Sequence, residues 1–141
     1  MEKLQNAKKL LETGNYTCVA CSQNKTLTSD KRGVAPLLEW LDSSVSLADF
    51  SCADKVVGAG AAFLYVKLGA QMLYASVISE RALAVLEAYG VSVSYSSLVP
   101  SIKNRTGDGN CPMETAVRGI DDPDTAVAAI RAKLRELKNN K

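Results

Sequence analysis

Cys111 stands where a helix should begin, with Pro112 directly after it and Glu114 three positions further along. Backbone N–H groups at a helix start have no partners within the helix, and the helix dipole is positive there, so the thiolate form of a cysteine is favoured. Cys111 and Glu114 are therefore the candidate catalytic pair. The structural alternative makes Cys111 a small cap, with Pro112 in the first turn and Glu114 reaching back as in a capping box.

The partners that a catalytic thiol needs are scarce in this chain. It contains no histidine, so only Asp108, Glu114 or a lysine could act as a base for Cys111. A nucleophilic cysteine normally depends on an adjacent base. A binding role for this segment is therefore better supported than a nucleophilic one.

A second candidate site is the start of a predicted helix at Gly58-Ala59-Gly60. Glycine and alanine leave the free backbone N–H groups open to a ligand, which predicts an anion or phosphate site at Gly58 and Gly60. Lys55 could supply positive charge, and Asp54 could bind a ribose hydroxyl or accept a proton. Two alternatives stay open, because small residues also permit tight packing on a sheet and an aspartate can close a loop.

Cys18 and Cys21 have the Cys-x-x-Cys spacing of redox and zinc sites. They lie in a stretch rich in strand formers, where side chains three positions apart point to opposite faces of a sheet. The two sulfur atoms could not share one metal ion without a break in the strand. We therefore expect both cysteines to be buried and structural.

The elements that must position these residues follow from hydrophobic spacing and from glycine and proline. The spacing predicts a helix from Leu4 that Gly14 ends, followed by a β-hairpin of Tyr16–Ser22 and Thr26–Thr28. Next come a helix at Ala35–Leu41 and a lead-in from Asp54 to a helix ending near Leu68. A strand at Met72–Val77, a helix at Glu80–Tyr89 and a strand at Val91–Ser97 follow. The chain then has a polar loop at Pro100–Asn110, a short helix from Pro112, and a last helix from Asp122-Pro123.

This order reads α-β-β-α-α-β-α-β-α-α, and it predicts an α/β fold with a mixed sheet of four or five strands between two helical layers, a three-layer α/β/α sandwich. Ser79 lies where a strand ends and a helix begins, the place at which α/β sheets bind ligands. It could line a pocket, or it could simply cap the helix.

Composition and charge bear on the number of domains, the kind of partner and the location of the protein. The chain has 141 residues, which predicts a single domain over residues 1–141, and 47% hydrophobic residues are sufficient for a core. A formal net charge of +2 gives no reason to expect a nucleic acid or a membrane as partner. The N-terminal residues lack the apolar core of a signal peptide, so we expect a cytoplasmic protein with reduced cysteines.

This layout resembles a small uncharacterised bacterial family, on the strength of the stretches Asp54-Lys55-Val56-Val57-Gly58, Ile78-Ser79-Glu80-Arg81-Ala82 and Cys111-Pro112-Met113-Glu114. The resemblance runs from about Leu4 to Ile120. It implies a cytidine-deaminase-like fold and, because such proteins commonly form homo-oligomers, a homodimer.

Zinc deaminases need His/Cys-x-Glu at the start of one core helix and Pro-Cys-x-x-Cys at the start of the next. By position, these motifs should fall near Gly58-Ala59-Gly60 and near Ile78-Ser79-Glu80-Arg81. Neither place holds a cysteine or a histidine. We therefore expect no zinc-dependent deaminase activity, no metal and no other cofactor.

Three functions remain, in order of preference. The first is binding of a nucleotide-like or phosphate-bearing small molecule, through Asp54, Lys55, Gly58, Gly60 and Ser79. The second is a metal-independent enzyme that uses Cys111 and Glu114. The third is a non-catalytic structural or interaction subunit.

Overall fold

The computed structural model describes residues 2–103, 109 and 111–139. The predicted loop from Pro100 to Asn110 lies largely outside these residues. The strands are β1 (Cys18–Cys21), β2 (Thr26–Ser29), β3 (Ser51–Val57), β4 (Met72–Ser79) and β5 (Ser92–Val99). The helices are α1 (Glu2–Thr13), α2 (Ala35–Asp42), α3 (Ala59–Lys67), α4 (Glu80–Ala88), α5 (Pro112–Ala116) and α6 (Pro123–Asn139). In the described part of the chain, no helix is long and apolar enough to cross a membrane.

The five strands form one mixed sheet in the order β2-β1-β3-β4-β5. Strand β1 runs antiparallel to β2 and β3, whereas β3, β4 and β5 are parallel to one another. Val57 at the end of β3 is level with Ile78 near the end of β4. Helices α3 and α4 therefore begin at the same edge of the sheet.

Helices cover both faces of this sheet, which confirms the predicted α/β fold. On one face, α1 packs on β1 and β3 through a small core around Leu11, Val19 and Ala53. The larger core on the other face includes Phe63 and Leu64 of α3, together with residues of α4 and α6. These two cores separate Cys18 from Cys21, as the alternation of a strand requires.

The prediction was wrong about β3, because residues 51–53 were not assigned to any element and Asp54 was placed in a lead-in to the next helix. In the structure β3 is the central strand and pairs with both β1 and β4. Its first four residues, Ser51 to Asp54, are all buried. Serine, alanine and aspartate are poor strand formers, so burial and pairing on two sides override the local preference here.

Two predicted helix caps are confirmed. Ser79 Oγ accepts a hydrogen bond from the Ala82 backbone N–H at 3.1 Å. Asp122 Oδ2 accepts one from the Thr125 N–H at 2.8 Å, and this bond lowers the pKa of Asp122. Such caps satisfy N–H groups that the helix itself leaves unpaired.

Candidate functional site

Three helix starts define the candidate site. The N-cap residues are Gly58 for α3, Ser79 for α4 and Cys111 for α5. The first two lie at the carboxyl ends of neighbouring parallel strands, where ligands bind in open α/β sheets. The packing of α5 against α3 brings the third segment to this edge as well.

Helix α5 approaches closely at Gly58, the N-cap of α3, and at Gly60 in its first turn. A Cβ atom added at Gly58 would lie 2.9 Å from Glu114 Oε1. A Cβ atom added at Gly60 would lie 3.1 Å from Met113 Cβ and 3.2 Å from the Met113 carbonyl oxygen. The structure therefore brings Gly58, Gly60 and Glu114 together, and the small residues are used for close packing between two helices.

The start of α3 is buried and has no cap of its own. Ala59 is 0% exposed and Ala61 is 7% exposed. No side chain caps the helix, and its first turn contains no acidic residue. Because the first backbone N–H groups of a helix lack intrahelical partners and carry partial positive charge, an anion beside them is stabilised. Glu114 supplies this negative charge from α5.

Glu114 is held in place from the opposite side by the segment before α5. Its Oε1 atom accepts a hydrogen bond from the Ile102 backbone N–H at 3.4 Å, and the Cys111 N–H donates to the Ile102 carbonyl at 2.8 Å. The capping-box interpretation is therefore wrong, because Glu114 turns towards Ile102 and Gly58 instead of the backbone of Cys111.

The described structure gives little support for a catalytic role of Cys111. It is half-buried, and its side chain makes no hydrogen bond that caps α5. The helix has only five residues, so its dipole is small. Asp108, one of the few possible bases, lies outside the described residues. A nucleophilic role for Cys111 stays a prediction, and no contact among the described residues favours it.

We expect Cys111 to be the thiol that a reagent reaches in the folded protein. All four cysteines are free, but Cys18, Cys21 and Cys52 are buried whereas Cys111 is only half-buried. Labelling with iodoacetamide, followed by mass spectrometry, should modify Cys111 at least about 100-fold faster than the buried three, because those react only through opening of the fold.

The Cys111→Ser variant is the control for that measurement, and it should abolish the fast phase while leaving the slow one. Equal labelling rates for all four thiols in native buffer would contradict the burial described above.

Asp54 belongs to a buried polar cluster that the sequence did not reveal. Its side chain lies in the core at 8% exposure, and Oδ2 accepts a hydrogen bond from the Tyr65 hydroxyl at 2.6 Å. Cys18 Sγ lies 3.1 Å from the same hydroxyl. The Tyr65 hydroxyl has a single proton and donates it to Asp54, so the Cys18 thiol donates to Tyr65.

Burial sets the protonation of this cluster. It raises the pKa of Asp54 to about 7, although hydrogen bonds from Tyr65 and from the backbone N–H groups of Val56 and Lys55 act in the opposite direction. Burial also raises the pKa of Tyr65 and of Cys18, and raises that of Cys52 to about 12. Asp54 is thus engaged within the core, and a direct contact from Asp54 to a ligand would require this cluster to open.

The two other predicted binding residues differ in how available they are. The Ser79 side chain is fully buried and occupied by its cap on α4. The Lys55 side chain is exposed, while its backbone N–H donates to the Thr17 carbonyl at 3.1 Å. The charge of Lys55 is therefore at the surface near the end of β3, and Ser79 contributes by orienting the start of α4.

The described residues at the starts of α3 and α4 provide no set of zinc ligands. Gly58 and Gly60 have no side chains to coordinate it, and the space beside Gly58 contains the Glu114 carboxylate. Across the described ranges, no group of three or more His, Cys, Asp or Glu side chains is placed to hold a metal ion.

Two surface grooves lie at the opposite end of the sheet. One, of about 480 Å³, is lined by Gly69, Gln71 and Tyr89 beside the starts of β4 and β5. The other, of about 580 Å³, lies between α1 and the β1–β2 turn, next to Lys9 and Lys25. Both are open, and neither includes a residue of the candidate site.

Comparison with known proteins places the fold and the family. The family model described as "Domain of unknown function (DUF1893)" matches residues 6–134. A solved structure of a DUF1893 family protein (TM1506) from Thermotoga maritima is similar, with a TM-score of 0.85 and 29% sequence identity, covering 94% of this chain and 90% of that one. No curated protein matches the chain. Neither matching description states an activity.

Proposed function

This chain belongs to the Domain of unknown function (DUF1893) family, and from that premise we propose that it binds a nucleotide-like, phosphate-bearing small molecule at the start of α3. The scaffold in this proposal is a cytidine-deaminase-like fold without a zinc site. The observation that carries the proposal is a buried, uncapped helix start with a carboxylate held beside it.

The chemistry of the α3 start favours an anion. The N–H groups of its first turn have no partners within the helix, and Gly58 has no side chain of its own in front of them. The start of α4 lies at the same edge and adds a second positive helix end. Lys55, with its exposed side chain, adds a formal positive charge from β3. A phosphate group matches this set of donors better than a neutral ligand does.

Glu114 competes with such a ligand. Its carboxylate is already beside Gly58, so a phosphate and Glu114 would repel each other at the same N–H groups. Binding therefore requires the Glu114 side chain to swing away and to give up its hydrogen bond with Ile102. The resident carboxylate stabilises the empty site and lowers the affinity for the ligand.

Replacing Glu114 with glutamine tests this competition. The Glu114→Gln variant keeps the size of the side chain but removes its charge, and we expect nucleoside monophosphates to bind about fivefold more tightly, because a charge near a helix start is worth about 1 kcal/mol. Isothermal titration calorimetry with nucleoside monophosphates, the parent nucleosides and inorganic phosphate measures the effect and separates the contribution of the phosphate.

The matched control is Glu87→Gln, which removes an exposed carboxylate of α4 away from the site and should leave the affinity unchanged. If neither the wild type nor Glu114→Gln binds any of these probes, the proposed function is wrong. Binding that is equally tight in both proteins would retain the ligand but refute the role given to Glu114.

We also propose a cytoplasmic location. The four cysteines are free thiols, and three of them are buried. Free thiols are the usual state in the reducing environment of the cytoplasm.

A further inference from the structure

Within the part of the chain that the structure describes, strand β5 leaves one long edge of the sheet without a partner. It pairs with β4 on one side only, and its eight residues, SVSYSSLV, include no charged residue and no proline. The side chains from Ser94 to Leu98 are all exposed, including Tyr95 at 42% and Leu98 at 41%. An edge of this kind presents backbone N–H and C=O groups that can pair with another strand.

The opposite edge of the sheet is built differently. Strand β2 has only four residues, and charged residues lie on both sides of it, with Lys25 before it and Asp30 and Lys31 after it. Short length and charge are the usual means by which an edge strand avoids pairing with other chains. Because β5 has neither, it is the edge suited to accept a partner strand.

We propose that β5 pairs antiparallel with β5 of a second copy of this chain, so that the two sheets become continuous across a two-fold axis. An uncharged strand meets no like charge when it faces its own copy, which makes this edge compatible with itself. This inference does not depend on the proposed ligand.

The symmetry restricts the register. A two-fold axis perpendicular to the sheet keeps each side chain on its own face, so a residue can face only itself or a residue an even number of positions away. Two registers place the middle of β5 on the axis, and in these Tyr95 faces either its own copy or Ser97 of the other chain. Tyr95 is therefore next to the axis in both, and burying its exposed ring contributes to the interface.

A charged residue in place of Tyr95 tests the proposal, because two-fold symmetry brings two copies of that charge together beside the axis. We expect the wild type to be a dimer in the micromolar range by light scattering coupled to size exclusion. Tyr95→Lys and Tyr95→Glu should each weaken the dimer by about 100-fold, since like charges placed close together in an interface are strongly unfavourable. An equal mixture of the two variants should recover dimers, because lysine then faces glutamate.

The control is Thr28→Lys, which puts the same charge on the exposed edge strand β2 and should leave the dimer intact. Ser97→Lys tests the same interface without removing the tyrosine ring, and circular dichroism verifies that each variant is folded. A monomeric wild type would overturn the proposal. Dimers that persist in both Tyr95→Lys and Ser97→Lys would overturn it as well.

Discussion

Replacing Asp54 with asparagine is expected to remove most of the pH dependence of stability between about pH 4 and pH 7, and to make the variant more stable than the wild type at about pH 8. In the folded protein the pKa of Asp54 is raised by burial to about 7, from an ordinary value of 3.8. Between these values the folded state holds the proton and the unfolded state has lost it. The free energy of unfolding therefore falls as the pH rises through this window.

The expected size of the effect follows from the two pKa values. A difference of about three between the folded and unfolded states corresponds to about 4 kcal/mol, present in full below the unfolded pKa and lost once the pH passes the folded one. Asparagine stays neutral and keeps an oxygen for the Tyr65 hydroxyl, so the variant should gain about 3 kcal/mol at high pH. For a domain of this size that is a rise in Tm of about 10 °C.

The groups around Asp54 allow the pH dependence of stability to be assigned to Asp54 itself. The titratable groups beside it are Cys18 on β1, Cys52 on β3 and Tyr65 on α3, and burial raises the pKa of all three, so that they stay protonated at neutral pH. The chain has no histidine to titrate in the same range. Within this buried cluster, Asp54 is therefore the side chain whose charge changes near pH 7.

Thermal unfolding of wild type, Asp54→Asn and the control Asp30→Asn, recorded at closely spaced pH values, measures this dependence. Asp30 is exposed, so its variant should follow the wild type throughout. Curves for Asp54→Asn that run parallel to the wild type would show that Asp54 is ionised in the fold across the whole range.

The sequence was most informative where local chemistry decides the structure. Ser79 and Asp122 cap helices because their side chains reach the N–H groups three positions on, and that interaction is complete within four residues. The alternation of Cys18 and Cys21 between two faces is equally local. Such features do not depend on how the rest of the chain folds, so they could be predicted from spacing alone.

The central strand β3 and the buried cluster around Asp54 could not be predicted from local spacing. Residues 51–54 have little preference for a strand, and they form one because β1 and β4 pair with them from both sides. For the same reason Asp54 looked like a loop residue. One signal was available in Tyr65, because a hydroxyl in a helix whose other residues before Lys67 are all apolar must find a partner once it is buried.

The candidate site was predicted in its parts but not in its assembly. Gly58 and Gly60 were identified as allowing a close approach, and the sequence left open whether the approaching group is a ligand or another part of the protein. The structure shows that Met113 and Glu114 make that approach. Contacts between residues more than fifty positions apart depend on how α5 packs across α3, and spacing carries no information about that.

Filling the space at Gly60 is expected to separate α5 from α3 and to cost about 2 kcal/mol of stability. A Cβ atom there would meet the Met113 Cβ and carbonyl oxygen at 3.1 and 3.2 Å, so the bulkier, branched side chain of Gly60→Val cannot fit without moving the backbone of α5. Because α5 holds Glu114 beside the start of α3, the same variant should also change ligand affinity. Urea unfolding of the variant and the wild type measures the loss.

Gly58→Ala is the matched comparison, since it adds a methyl group two positions earlier in the same glycine pair. Its Cβ atom would meet Glu114 Oε1 at 2.9 Å, but that oxygen is at the end of a flexible side chain, and the backbone of Gly58 is in a region open to alanine. We expect Gly58→Ala to lose less than about 1 kcal/mol, because the carboxylate can turn aside. If Gly60→Val proved no less stable than Gly58→Ala, α5 would be free to shift as a unit. The glycine at position 60 would then not be needed to bring α5 against α3.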